Sequence, residues 1–393
     1  MFGFLWGWVE FWIIRAASIA ALATIFSESL HEVLRYLNNV SAGSSYLTFW
    51  QERWLTIGVI LLLTLVNIQG VRWGGGLQFF ITLVKMLSLL AILVLPFFFL
   101  GMLNGPDEMR SHRLGFTFTG LGTAFLAVLW PYHGWMNVAP IAGEVKEPQR
   151  NIPIAFLAGV GIIILLYLGA NLAYHLVIPH DELAGIQGLT TVSYFAQKLL
   201  GPIGALFASA AVMISVFGAL NGNILVGPRL LYAMGEDGLA PRALARLHPK
   251  HRTPVLATIL LAAWSCGLIL GGALLTEYQL QSQLAEVAAG TLKEVKAPKP
   301  IFDLLTDYAM FGAVTFETLA VSTIFVFRRK LPDVARPYRC PLFPWVPLLY
   351  LVVPAYVLVN MLTAQATEAA LGFGFIGLGV VVYFGTVGRR QDV

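Results

Sequence analysis

Lys85, Trp130, Tyr132, His133, Gly134, Trp135 and Glu317 are polar, aromatic or helix-breaking residues that stand inside apolar runs, where each could do chemistry. The densest stretch is 121–153, LGTAFLAVLWPYHGWMNVAPIAGEVKEPQRNIP, an apolar run broken at its centre by Trp130-Pro131-Tyr132-His133-Gly134-Trp135. Proline removes a backbone donor and clashes with the preceding turn, and glycine weakens the helix further. In lipid the freed backbone groups are tolerated only where they line a protein cavity. A broken helix of this kind is the sequence sign of a binding site in a secondary transporter. A kinked helix carrying interfacial aromatics explains the same pattern without a pocket. His133 adds the side-chain type whose charge ordinarily changes between pH 5 and 8; donation to a local carbonyl is its other use.

Two ionisable groups stand alone in mid-span. Lys85, in Ile81-Thr82-Leu83-Val84-Lys85-Met86-Leu87, carries a cost of roughly 2.5–3.5 kcal/mol on insertion scales, so it either serves a function or snorkels to an interface. Glu317, in Val314-Thr315-Phe316-Glu317-Thr318-Leu319, is a candidate proton carrier, or else it pairs with a polar group on a neighbouring helix. Glu10 and Arg15 read as a packing or interhelical pair. Glu144, Lys146, Glu147 and Arg150 read either as an ion-pair cluster closing a cytoplasmic gate or as a solvated loop. Other chemistries find no pattern. Gly74-Gly75-Gly76 has no following Lys-Ser/Thr to cradle phosphate, the histidines lack metal-ligand spacing, and no Ser-His-Asp arrangement can be assembled on facing spans. No cofactor, no metal and no enzyme activity are expected.

The elements that must position these residues are membrane helices. The chain is 58% hydrophobic and 12% charged, with a mean hydropathy of +0.75, which excludes an ordinary soluble protein. Crossing the hydrocarbon core takes roughly 20 apolar residues. Ten such spans are predicted, at about 2–27, 53–70, 77–101, 117–142, 153–178, 200–233, 255–276, 303–327, 342–361 and 369–388. The net charge of +4 does not mark a nucleic-acid protein, because the basic residues fall in loops. Placing both termini in the cytoplasm puts fifteen of the 25 basic residues in cytoplasmic loops and eight outside, as the positive-inside rule demands. Residues 277–300 read as a long external loop. Cys266 and Cys340 offer no disulfide framework. A plasma membrane, such as a bacterial inner membrane, is the expected location.

Three ordered blocks resemble the amino acid–polyamine–organocation superfamily, in particular its L-type amino acid transporter branch. The first is Gly134-Trp135 followed by Gly143-Glu144-Val145-Lys146-Glu147-Pro148-Gln149-Arg150-Asn151-Ile152-Pro153, with Gly143 where the family usually has an acid. The second is Ser215-Val216-Phe217-Gly218-Ala219-Leu220-Asn221-Gly222 with Arg229, Tyr232-Ala233-Met234 and Asp237-Gly238-Leu239-Ala240-Pro241. The third runs from Phe327-Arg328-Arg329 to Pro341-Leu342-Phe343-Pro344.

The resemblance implies an all-α polytopic bundle built as two inverted repeats of five helices. In this chain 1–101 would match the third to fifth helices, 117–327 the sixth to tenth, and 342–388 the last two, with 277–300 inserted. Nothing in the sequence matches the family's first two helices, the first of which carries a Gly-rich break that holds the substrate carboxylate. The expectation is therefore a transporter whose record begins at an internal methionine. The rival is an inactive remnant or a non-transporting membrane partner, associating through Ala16, Ala17, Ala20 and Ala21.

By the same resemblance Trp130 is the gating aromatic, and Tyr132, His133, Gly134 and Trp135 form the substrate-binding break. Lys85 would take the place of a bound sodium ion, with Ser215 as its hydroxyl partner. The implied function is sodium-independent transport of neutral L-amino acids, by exchange or proton coupling.

Overall fold

The computed structural model describes the chain outside residues 41–45, 71–73, 106–116, 136–144, 187–189, 289–299, 337–338, 365 and 389–393. The described residues form helices and connecting turns. Nine helices are long and apolar enough to cross a membrane, and a tenth apolar helix is shorter. In chain order they are α1 (Phe2–Leu37), α2 (Phe49–Ile68), α3 (Gly74–Val94), α4 (Phe118–Tyr132), α5 (Pro148–Val177), α6 (Thr191–Glu236), α7 (Val255–Ala288), α8 (Ile301–Lys330), α9 (Trp345–Ala364) and α10 (Ala366–Tyr383). The protein is an all-α polytopic membrane protein.

The centre of the bundle is α1, which packs on α2, α6, α7 and α8. Ala16, Ala17, Ala20 and Ala21 are fully buried there. Their lack of bulk lets neighbouring backbones approach closely, the main source of helix affinity where no hydrophobic effect acts. These alanines therefore serve packing within the chain, and the association face expected of them is corrected. Residues Glu10–Arg15 of α1 are π-helical. The i→i+5 repeat of a π turn stacks residues five apart, so Glu10 accepts directly from the Arg15 guanidinium. Arg15 also donates to Asn223 Oδ1 of α6 at 2.9 Å.

Three boundaries differ from the sequence reading. The span expected at 117–142 ends its helix at Tyr132, because His133 leaves helical geometry at ψ 150° and Gly134 turns the chain with φ +109°; residues 136–142 lie outside the described residues. Residues 277–288, expected in a loop, continue α7, since Gln, Leu, Ala and Glu are good helix formers and no Gly or Pro interrupts them. The overlong α6 is kinked at Gly201, at φ +69°, a backbone region that glycine enters without penalty.

Helix ends meet as an alternating topology requires. Thr253 Oγ1, just before α7, donates to the Ile68 carbonyl that ends α2 at 2.9 Å. Ala335 and Arg336, after α8, border the same groove as Pro148 and Phe156 of α5. On the other face, Asn104 N donates to Leu176 O of α5 at 2.7 Å, and Tyr36 of α1 donates to Gln197 of α6 at 3.2 Å.

Candidate functional site

The break in α4 and the middle of α8 enclose a cavity of about 170 Å³. Pro131 stands in the last helical turn of α4, and His133 N caps that turn by donating to Trp130 O at 3.0 Å. The chain then turns through Gly134, whose positive φ would strain any L side chain. This geometry swings Tyr132, His133 and Trp135 towards α8, whose Met310, Val314 and Glu317 recur at helical spacing along one stripe. Tyr350 and Pro354 of α9 close the far wall. The lining is thus mostly apolar and aromatic, with four polar side chains: Tyr132, His133, Glu317 and Tyr350.

His133 Nδ1 stands 2.9 Å from Glu317 Oε1, with only 18% and 11% of the two side chains exposed. The contact lacks the alignment of a directed hydrogen bond, and neither atom has another hydrogen-bond partner. It is an electrostatic contact between the joint of one helix and the centre of another. No Lys or Arg lines this cavity among the described residues.

The other expected site residues fall elsewhere. Trp130 does not border the cavity; its ring meets Phe302 of α8 edge to face at 5.3 Å. Tyr132 packs edge to face on Tyr167 of α5 at 5.2 Å. Lys85 and Ser215 do come together, but in a second cavity of about 470 Å³ between α3, α5 and α6, which Ser88, Tyr167 and Tyr174 also line. No described acid pairs with Lys85. At the start of α5, Lys146, Glu147 and Arg150 are exposed and form no ion pair among the described residues. Glu147 N-caps α5 in the left-handed region, and its carbonyl accepts from Arg150 N and Asn151 N at 3.0 Å each. Glu144 lies outside the described residues.

Sequence reasoning passed over one polar cluster and one residue. On the second half of α1, Glu32 is 5% exposed and accepts from Ser209 of α6 at 2.5 Å, while Ser209 contacts Ser193 at 2.9 Å. Next to it in sequence, His31 Nδ1 lies 2.5 Å from Glu52 Oε1 of α2. The signal available was the run Ser27-Glu28-Ser29 with Glu32, too polar for a lipid-facing helix. Tyr350 carried no signal, since tyrosines near helix ends are ordinary interfacial residues.

A polytopic helical bundle with a proline–glycine break facing a small mid-bundle cavity has the build of a secondary transporter. The amino acid permease family matches residues 1–387, and the chain belongs to that family, whose members are membrane transporters and not enzymes. It is 28% identical to the serine/threonine exchanger SteT of Bacillus subtilis (strain 168), over 99% of this chain and 80% of that protein. It is 26% identical to the human cystine/glutamate transporter, over 96% of this chain and 68% of that one. With the mouse large neutral amino acids transporter small subunit 2 the identity is 27%, over 97% and 65%. The chain thus spans from just under two thirds to four fifths of these relatives' lengths.

Proposed function

We propose that this protein moves neutral L-amino acids across a plasma membrane by alternating access, without sodium, and with both termini in the cytoplasm. The reading rests on one observation above the rest: the family match over residues 1–387 includes a helix that breaks at Pro131–Gly134 against a cavity. At about 170 Å³ that cavity is below the ~300–1,000 Å³ of pockets for drug-sized ligands, which suits a small solute. Leu129, Met310, Val314 and Trp135 favour an apolar side chain. Backbone carbonyls around the break would receive the substrate ammonium, and Trp130 would move over it on closure.

Sodium independence is argued from Lys85. Lys85 and Ser215 line one cavity, which supports the reading that a fixed ammonium serves there instead of a mobile sodium ion. The exposed charges of Lys146, Glu147 and Arg150 are solvated in this conformation and would pair on closure of the cytoplasmic side.

The test is counterflow in proteoliposomes holding the full chain, loaded in turn with each of the twenty common L-amino acids. Accumulation of labelled leucine or another neutral substrate, unchanged when choline replaces sodium, is the expected result. Lys85→Ala is expected to cut the initial rate at least about tenfold, equivalent to ~1.4 kcal/mol. No counterflow with any amino acid would end the transport reading, and a sodium requirement or wild-type rates in Lys85→Ala would end the role given to Lys85.

A further inference from the structure

We propose that His133 and Glu317 together form one proton-binding site that couples the break in α4 to α8, making the protein a proton-coupled symporter rather than a pure exchanger. This rests on the transport reading above.

The argument begins with charge. Nδ1 and Oε1 are 2.9 Å apart in a pocket whose other titratable lining residues, among the described ones, are Tyr132 and Tyr350. One proton on the pair, whether on the imidazole or on the carboxylate, makes it neutral overall. Loss of that proton to water leaves one negative charge with no lining cation among the described residues to answer it. The pair therefore changes by one unit of charge per proton, and no other reactant is needed.

Other charges near α8 are engaged or distant. The Glu10 and Arg15 side chains, on the α1 segment packed against α8, pair with each other. Glu28 of α1 feels Asp303, but Asp303 lies fourteen residues before Glu317, about 21 Å along the helix. Helix α7 approaches α8 where Gly272 faces Ile301, and α10 presents Phe373 to Phe311. Tyr167 of α5 reaches the pair only through Tyr132.

Position then decides the role. A structural ion pair is normally fixed by further hydrogen bonds, yet Nδ1 and Oε1 have none, and their own contact is misaligned. His133 is the first non-helical residue after α4 and precedes Gly134 at the turn, so any movement of the break moves the imidazole. Glu317 is central on a 30-residue helix. The contact thus joins the middle of α8 to the joint after α4, and it is free to break. With the proton bound, the neutral pair can hold the break against α8. With the proton gone, the bare charge favours opening towards water, and substrate and proton leave together.

The test uses the counterflow substrate found above and proteoliposomes with a trapped pH-sensitive dye. Wild type is expected to acidify the lumen as substrate enters, with about one proton per substrate, and to take up substrate several-fold faster when the outside is made acidic. Glu317→Gln should bring the proton-to-substrate ratio to zero at whatever rate it retains. An independent variant is His133→Asn, which should lower the proton-to-substrate ratio in the same way while counterflow persists.

Robust counterflow in loaded proteoliposomes, with no lumen acidification and no net uptake in wild-type vesicles that hold no internal substrate under an outside-acid gradient, would overturn the proposal and leave a pure exchanger standing. A Glu317→Gln or His133→Asn variant that still carries protons at the wild-type ratio would overturn it as well. Absence of any counterflow would remove the transport reading and this inference with it.

Discussion

At the scale of single residues, Gly134 is where the backbone sets the site. Its φ of +109° lies where an L side chain is held at a cost of about 1–3 kcal/mol. Gly134→Ala is therefore expected to straighten or displace the break, lowering counterflow by an order of magnitude or more while the helices still assemble. Initial rates set beside melting curves in detergent separate the two effects. Equal rates in Gly134→Ala and wild type would show that transport does not depend on this turn. The break itself was legible from Pro131 and Gly134, because both act on the local backbone. The partnership of His133 with Glu317 was not, since each is unusual alone and only the packing of α4 on α8 joins them. The contact of Trp130 with Phe302 was likewise not legible, since it pairs two distant residues that no local pattern encodes.

At the scale of elements, apolar length located nearly every helix, while their ends and irregularities depended on features that hydropathy does not record. The extension of α7 through Ala288 follows helix propensity in a polar segment, which a hydropathy reading assigns to a loop. The π turn at Glu10–Arg15 has no sequence signature of its own, yet it explains why an acid and a base five apart, out of register on an α-helix, meet directly. That pair ties α1 to α6 through Asn223, so it should act as a structural clasp. Glu10 is 8% exposed, and removing one partner of a buried pair costs about 3–5 kcal/mol. Glu10→Ala is expected near the low end, about 3 kcal/mol, because Arg15 keeps Asn223. Thermal unfolding in detergent should show a melting temperature several degrees lower. An unchanged melt would mean that the pair contributes nothing net beyond the packing around it.

At the scale of the whole molecule, the proposed orientation puts the loop after α8 in the cytoplasm, and Cys340 tests it. Positive-inside counting places the loops after α2, α4, α6 and α8 in the cytoplasm. The structure groups the first and third of these through Thr253 and Ile68, and the second and fourth through Pro148 and Arg336. Cys340 lies in the loop after α8 and Cys266 lies within α7. A membrane-impermeant maleimide should therefore leave intact cells unlabelled, label Cys340 in inverted vesicles, and do so no longer in Cys340→Ser. Labelling of Cys340 from outside would reverse the topology and place both termini outside.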